Sequence, residues 1–218
     1  MRKIRAPPGV NAPVHVTFHF DPVCPWTWLT SRWLVRLAEA GDVEVRWAPF
    51  SLGHLNEGGE VPEQYRPMMA AGRVGTRLVH HLAEVGDHDA IGRFYDAWGD
   101  ATFRAGADPS VEAVDAAAGA VGLSDAALAA AGDESLDAAV DAATDAAMDL
   151  VGPDVGSPVL TWTDSERGDQ AVFGPIIDRV PALDDARRLW EGVRALTPIS
   201  EFKELKRGRQ APPALLDS

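Results

Sequence analysis

Apolar residues alternate with polar ones at the start of the chain: Val14, Val16, Phe18 and Phe20 are interleaved with His15, Thr17 and His19. A period of two predicts a strand. The period then changes. Leu29, Trp33, Leu34 and Leu37 carry a stripe of helical spacing, Pro25 suits the first turn, and Gly41 is placed to end the helix. Val43, Val45 and Trp47 alternate again. The opening therefore reads as strand, crossover helix and parallel strand, with a right-handed connection.

From Pro62 to Leu150 only helical patterns occur. Ile91, Phe94, Tyr95 and Trp98 form an i, i+3, i+4, i+7 stripe, and Asp108-Pro109 and Ser124 read as helix starts. Leu136, Val140, Ala143, Ala147 and Met148 line one face of a last helix that Gly152 ends. The strand signal returns at Val159–Trp162, and Gln170–Phe173 reads as its hairpin partner across a polar turn at 164–169. A final helix starts at Asp184 and carries Ala186, Leu189, Trp190 and Val193. Without the helical block the order is βαβ–ββα. The expected fold is α/β and thioredoxin-like, built from residues 14–56 and 151–200. A helical insertion at 57–150 interrupts it, and a tail at 201–218 packs over the body through Phe202 and Leu205.

Charge narrows the function. The formal net charge is −13, and residues 111–150 hold nine Asp or Glu with no Lys or Arg. This argues against general binding to nucleic acid or anionic lipid; the acidic stretch reads as a solvated helical surface. No apolar run approaches a membrane span. Residues 1–13 are basic and lack a signal peptide's apolar stretch, so they read as a flexible lead-in. With a single cysteine, no internal disulfide can form. These features point to a reducing cytoplasm.

That cysteine, Cys24, stands where the first strand gives way to the first helix, in Phe20-Asp21-Pro22-Val23-Cys24-Pro25-Trp26-Thr27-Trp28. A thiol at a helix N-terminus faces unpaired N–H groups and the positive end of the dipole, which predicts a lowered pKa. Pro25 stiffens the turn. Trp26 offers a flat apolar surface beside the sulfur, whereas Trp28 reads as core. Thr27 stands where a dithiol enzyme has its resolving cysteine; its hydroxyl can donate to a thiolate but cannot attack a mixed disulfide. The predicted cycle therefore uses one thiol, with an outside thiol completing each turnover. Gly156-Ser157-Pro158, ahead of the third strand, is the second element. A cis bond before Pro158 would let Ser157 offer backbone groups to an extended ligand; an ordinary trans turn is the alternative. No metal site is expected: His15 and His19 share a strand face but lie roughly 13 Å apart, and no metal-binding motif occurs. Gly72-Arg73-Val74-Gly75 matches neither a P-loop nor a dinucleotide fingerprint.

These residues carry a family likeness. The segment from Phe20 to Trp33 resembles the active-site segment of the actinobacterial DsbA-like proteins known as mycothiol-dependent nitroreductases. Ser51-Leu52, Leu55-Asn56-Glu57, Pro62–Arg66, Val151-Gly152, Asp154–Pro158, Phe173-Gly174-Pro175 and Phe202–Arg207 fit as well. The resemblance implies a thioredoxin fold with a helical insertion, a cis bond at Pro158, and Cys24 as nucleophile. Mycothiol or another small thiol is implied as co-substrate, with no tightly bound cofactor, and a mycoredoxin-like protein as a partner in reduction. It places Trp26, Asn56 and Tyr65 around the thiol pocket, and Gly156, in the segment ahead of Pro158, is expected to line it as well; on sequence alone Asn56 reads as a loop residue and Tyr65 as a helix-face residue. The family pattern is Cys-Pro-Trp-Cys, and Thr27 departs from it, which removes chemistry that needs the dithiol pair. Two alternatives stay open: a transferase or isomerase of the kappa-class type, and a non-catalytic thiol- or peptide-binding relative. No sequence feature decides between monomer and homodimer.

Overall fold

The computed structural model describes residues 12–59, 61–208 and 212–215. The expected lead-in at 1–13 falls almost wholly outside them. Four strands, β1 (Val14–Phe20), β2 (Val43–Pro49), β3 (Val159–Asp164) and β4 (Gly168–Phe173), form one sheet in the order β2-β1-β3-β4. β1 and β2 run parallel, with Phe18 opposite Trp47. β3 is antiparallel to both β1 and β4, with Phe18 opposite Leu160 and Val159 opposite Phe173. Helix α1 (Pro25–Glu39) links β1 to β2, and α8 (Leu183–Leu196) follows β4. This is the thioredoxin-like βαβ–ββα frame.

Between β2 and β3 the described chain is helical: α2 (Leu52–Leu55), α3 (Arg66–Glu84), α4 (His88–Gly99), α5 (Val111–Ala120), α6 (Asp125–Ala131) and α7 (Asp137–Val151). α4 runs on into a wider π-type turn at Asp100–Arg104. The local chemistry explains the boundaries. The side chains of Asp87, Ser110 and Ser124 each accept the N–H three residues on, at the starts of α4, α5 and α6. Helix α5 therefore starts at Ser110 and not at the expected Asp108-Pro109 cap.

The larger hydrophobic core runs through sheet and helices together, and a smaller cluster gathers Phe50, Ala147 and Val159. Tyr95 of α4 lies 4.4 Å from Phe20 and 6.0 Å from Trp47, centroid to centroid, and also meets Trp28 of α1 edge-on. Elsewhere, Trp190 of α8 packs edge-on against Trp33 and Trp162, and the Trp33 indole donates to the Ala186 carbonyl. The tail departs from expectation. Leu205 is 83% exposed, whereas Leu215 packs against the core and Ala214 N–H donates to the Asp178 carbonyl.

Candidate active site

Cys24 is the N-cap of α1, with extended backbone angles, and Pro25 takes the first helical position. Its N–H donates to the Asp21 carbonyl and its own carbonyl accepts from Trp28. Three elements hold the preceding loop. Helix α3 approaches through two glycines: a Cβ on Gly72 would lie 3.1 Å from an Asp21 carboxylate oxygen, and one on Gly75 3.2 Å from Pro22. The pair that matched no phosphate motif is thus a close-packing device. Trp98 of α4 donates its indole N–H to the Pro22 carbonyl at 2.9 Å. From the start of α2, Leu52 N–H donates to Asp21 at 2.8 Å.

The Ser157–Pro158 bond is cis, as is Gly174–Pro175, and Gly174 N–H donates to the Pro158 carbonyl. Ser157 is buried at the foot of α1. Its hydroxyl lies 3.1 Å from the Thr27 hydroxyl and accepts the Asp21 N–H at 3.4 Å. Thr27 is fully buried, and Trp26 is half-buried. Gly156 stands by α2, where a Cβ would lie 3.7 Å from a Leu55 methyl. So Cys24, Pro25, Trp26, Thr27, Ser157 and Pro158 come together, and Gly156 sits on the neighbouring segment. Asn56 is exposed at the end of α2, its amide donating to the Leu52 carbonyl at 2.7 Å. Tyr65 is 46% exposed, at the end of a 3-10 turn. Neither makes a hydrogen bond to Cys24, Thr27 or Ser157 among the described residues.

The electrostatics correct one expectation. The thiol of Cys24 is not lowered. Burial pushes it up, and the nearby Asp21 carboxylate adds to that; hydrogen bonds from the Thr27 hydroxyl and from the N–H groups of Thr27 and Trp26 pull the other way. The helix-end argument sees only the local dipole, while the surrounding packing supplies the larger effect.

Asp21 itself was not anticipated. It is 1% exposed, and burial raises its pKa to about 6, although its carboxylate accepts N–H bonds from Leu52 and Val23. On the same strand end, burial lowers His19 to about 4. The two oppose each other in folding. An acid raised in the folded state loses stability as pH climbs from about 4 to 6, and a lowered histidine gains it over nearly the same interval. Asp21→Asn is therefore expected to make stability rise more steeply between pH 4 and 6, by up to about 1.4 kcal/mol per unit relative to the parent. Urea unfolding at several pH values measures this; parallel slopes in the two proteins would contradict it.

Away from Cys24, His54, Glu57 and Asp141 come within metal-ligating range of one another. Arg73 already pairs with both carboxylates, and Asp145 bonds the His54 ring, so an ion-pair network fills this grouping.

Residues 23–207 match a family described as Rv2466c-like, mycothiol-dependent nitroreductase Rv2466c. The chain belongs to this family. The uncharacterized protein Rv2286c of Mycobacterium tuberculosis (strain ATCC 25618 / H37Rv) is 28% identical to it over 195 residues, 88% of this chain and 81% of that protein. Two solved structures are also similar. A thioredoxin-like oxidoreductase from Silicibacter pomeroyi DSS-3 is 19% identical, covers 82% of this chain and 87% of its own, and has a TM-score of 0.45. The oxidoreductase DsbA from Xylella fastidiosa is 16% identical, covers 86% and 88%, and has a TM-score of 0.43. Within the family match lie Cys24, Thr27, Ser157 and Pro158.

Proposed function

We propose that this chain is a thiol–disulfide oxidoreductase working through Cys24 alone, with a small thiol, mycothiol in the first instance, as its co-substrate. The observation that carries the reading is the arrangement at the start of α1. The sole cysteine in 218 residues sits at the N-cap, half-buried, beside Trp26 and the Thr27 hydroxyl, with the Ser157–Pro158 segment behind it. Family membership supports the same class of chemistry.

In the first step the Cys24 thiolate attacks one sulfur of a disulfide. A Cys24–S–S–R bond forms, the original S–S bond breaks, and one thiolate leaves. In the second, an incoming thiolate attacks the outer sulfur, forming a new small disulfide and releasing the Cys24 thiolate. Trp26, Asn56, Tyr65 and Gly156 are assigned to the walls that receive the thiol. Residues 57–150 act as the inserted helical part that closes over Cys24, and residues 14–56 and 151–200 as the thioredoxin-like part. The reaction belongs in a reducing compartment, the cytoplasm, where a mycoredoxin-like protein can regenerate the thiol.

Intact-mass spectrometry tests this. Mycothiol disulfide is expected to add one mycothiol to Cys24 and excess mycothiol to remove it, with Cys24→Ser taking none. Because burial raises the thiol, the adduct should form about tenfold faster per pH unit until the thiol titrates. A parent protein that alkylates at Cys24 yet never takes mycothiol would sink the proposal. One observation favours the transferase or isomerase reading instead: a thiol kept protonated suits a sulfur that is not the attacking group. Turnover that survives Cys24→Ser would select it.

A further inference from the structure

We propose that Ser157 is a positioning residue, which aims the Thr27 hydroxyl proton at the Cys24 sulfur. The inference rests on Cys24 being the reacting group and assigns Ser157 a side-chain role in addition to its place before Pro158.

Hydrogen-bond bookkeeping supplies the direction. The two hydroxyl oxygens are 3.1 Å apart, and either could donate. Ser157 Oγ already accepts the Asp21 N–H. Thr27 is fully buried and Ser157 is 8% exposed, so neither proton can rely on bulk water. If Thr27 donated to Ser157, the Ser157 proton would have no acceptor among the described residues, and the sulfur would lose its hydroxyl donor. If Ser157 donates to Thr27, both protons are placed: that of Ser157 on Thr27 Oγ1, and that of Thr27 toward the sulfur at the N-cap, three residues back on the same face of α1. Only the second arrangement satisfies every group. Thr27 also makes no bond to a carbonyl of its own helix among the described residues, unlike Thr30, whose hydroxyl reaches the Trp26 and Pro175 carbonyls. The rotor at Thr27 is therefore set from across the site, by a residue 130 positions away.

A relay differs from two independent contacts in its coupling. The experiment follows Cys24 alkylation by iodoacetamide against pH in the intact protein. Thr27→Val is expected to shift the profile upward by about one unit, a tenfold loss of rate at fixed pH. Ser157→Ala should lose about threefold, Ser157→Thr should keep the parent profile, and Ser157→Ala on top of Thr27→Val should lose nothing more. If Ser157→Ala does not fold, Ser157→Gly takes its place in the same comparison. An equal Ser157 effect in both Thr27 backgrounds, or no effect in the parent, overturns the relay. Alkylation needs no disulfide substrate, so its outcome is separate from that of the exchange cycle. A parent that never accepts mycothiol, yet shows the coupled shifts, would refute the proposed function and leave the relay standing.

Discussion

A Thr27→Cys variant is expected to close an internal disulfide with Cys24 on mild oxidation, losing the mass of two hydrogens and both free thiols. The parent cannot do this, having one cysteine in its whole length. Position 27 is three residues on from the N-cap, on the same face of the first turn of α1. A thiol held there would attack a mixed disulfide at Cys24 from within the molecule. The mycothiol adduct, persistent in the parent until outside thiol arrives, should become at least about a hundredfold shorter-lived in the variant, because a held group acts at high effective concentration. The thiol count after oxidation and the decay of the adduct by mass both report it. Two free thiols together with a stable adduct would mean that the residue-27 side chain does not face the sulfur.

The second large effect concerns stability. Gly99 ends α4 directly against Trp28, and a Cβ added there would overlap Cη2 and Cζ3 of the indole and lie 2.5 Å from Cε3. The ring has little room to yield. It is fully buried, meets Tyr95 edge-on at 5.1 Å, contacts Phe103, and carries the Arg32 guanidinium 4.1 Å above its centroid. Gly99→Ala is expected to destabilise the fold by about 3 kcal/mol, as overpacking of a tight core does. For a chain of this size that lowers Tm by about 6–12 °C. Gly92 on the same helix is the control. A Cβ there meets Trp47 at 3.5 Å, an ordinary contact, and alanine relieves a mid-helix glycine, so Gly92→Ala should be neutral or stabilising by up to about 1 kcal/mol. Thermal unfolding of the two variants decides it; equal melting temperatures would refute the packing argument.

The difference between those glycines shows where sequence reading stops. Both look alike in an amphipathic helix, and what separates them is a tryptophan far away in the chain. Strands β1 and β2, the Cys24 N-cap and the Ile91–Trp98 stripe were legible because each rests on neighbours a few residues apart. The Ser157–Thr27 contact spans 130 positions, and the burial of Asp21 depends on α2, α3 and the segment before β3 together. Neither leaves a periodic trace. The direction of the Cys24 shift failed for the same reason: a helix end is a local property, and desolvation belongs to the assembled fold. In the tail, Leu205 and Leu215 are chemically identical, so composition could not say which one docks.

Because Tyr95 roofs Phe20 and Trp47 from α4, the sheet does not own a finished hydrophobic face. The helices between β2 and β3 are consequently not a detachable accessory. Excising them to recover a minimal thioredoxin would leave the rings of Phe20 and Trp47 bare, and grafting them onto another host would strand Tyr95 and Trp98. Changes in the helical block and in the sheet beneath it must be made as matched sets, so redesign of this scaffold for new specificity has to begin with the rings at their shared boundary.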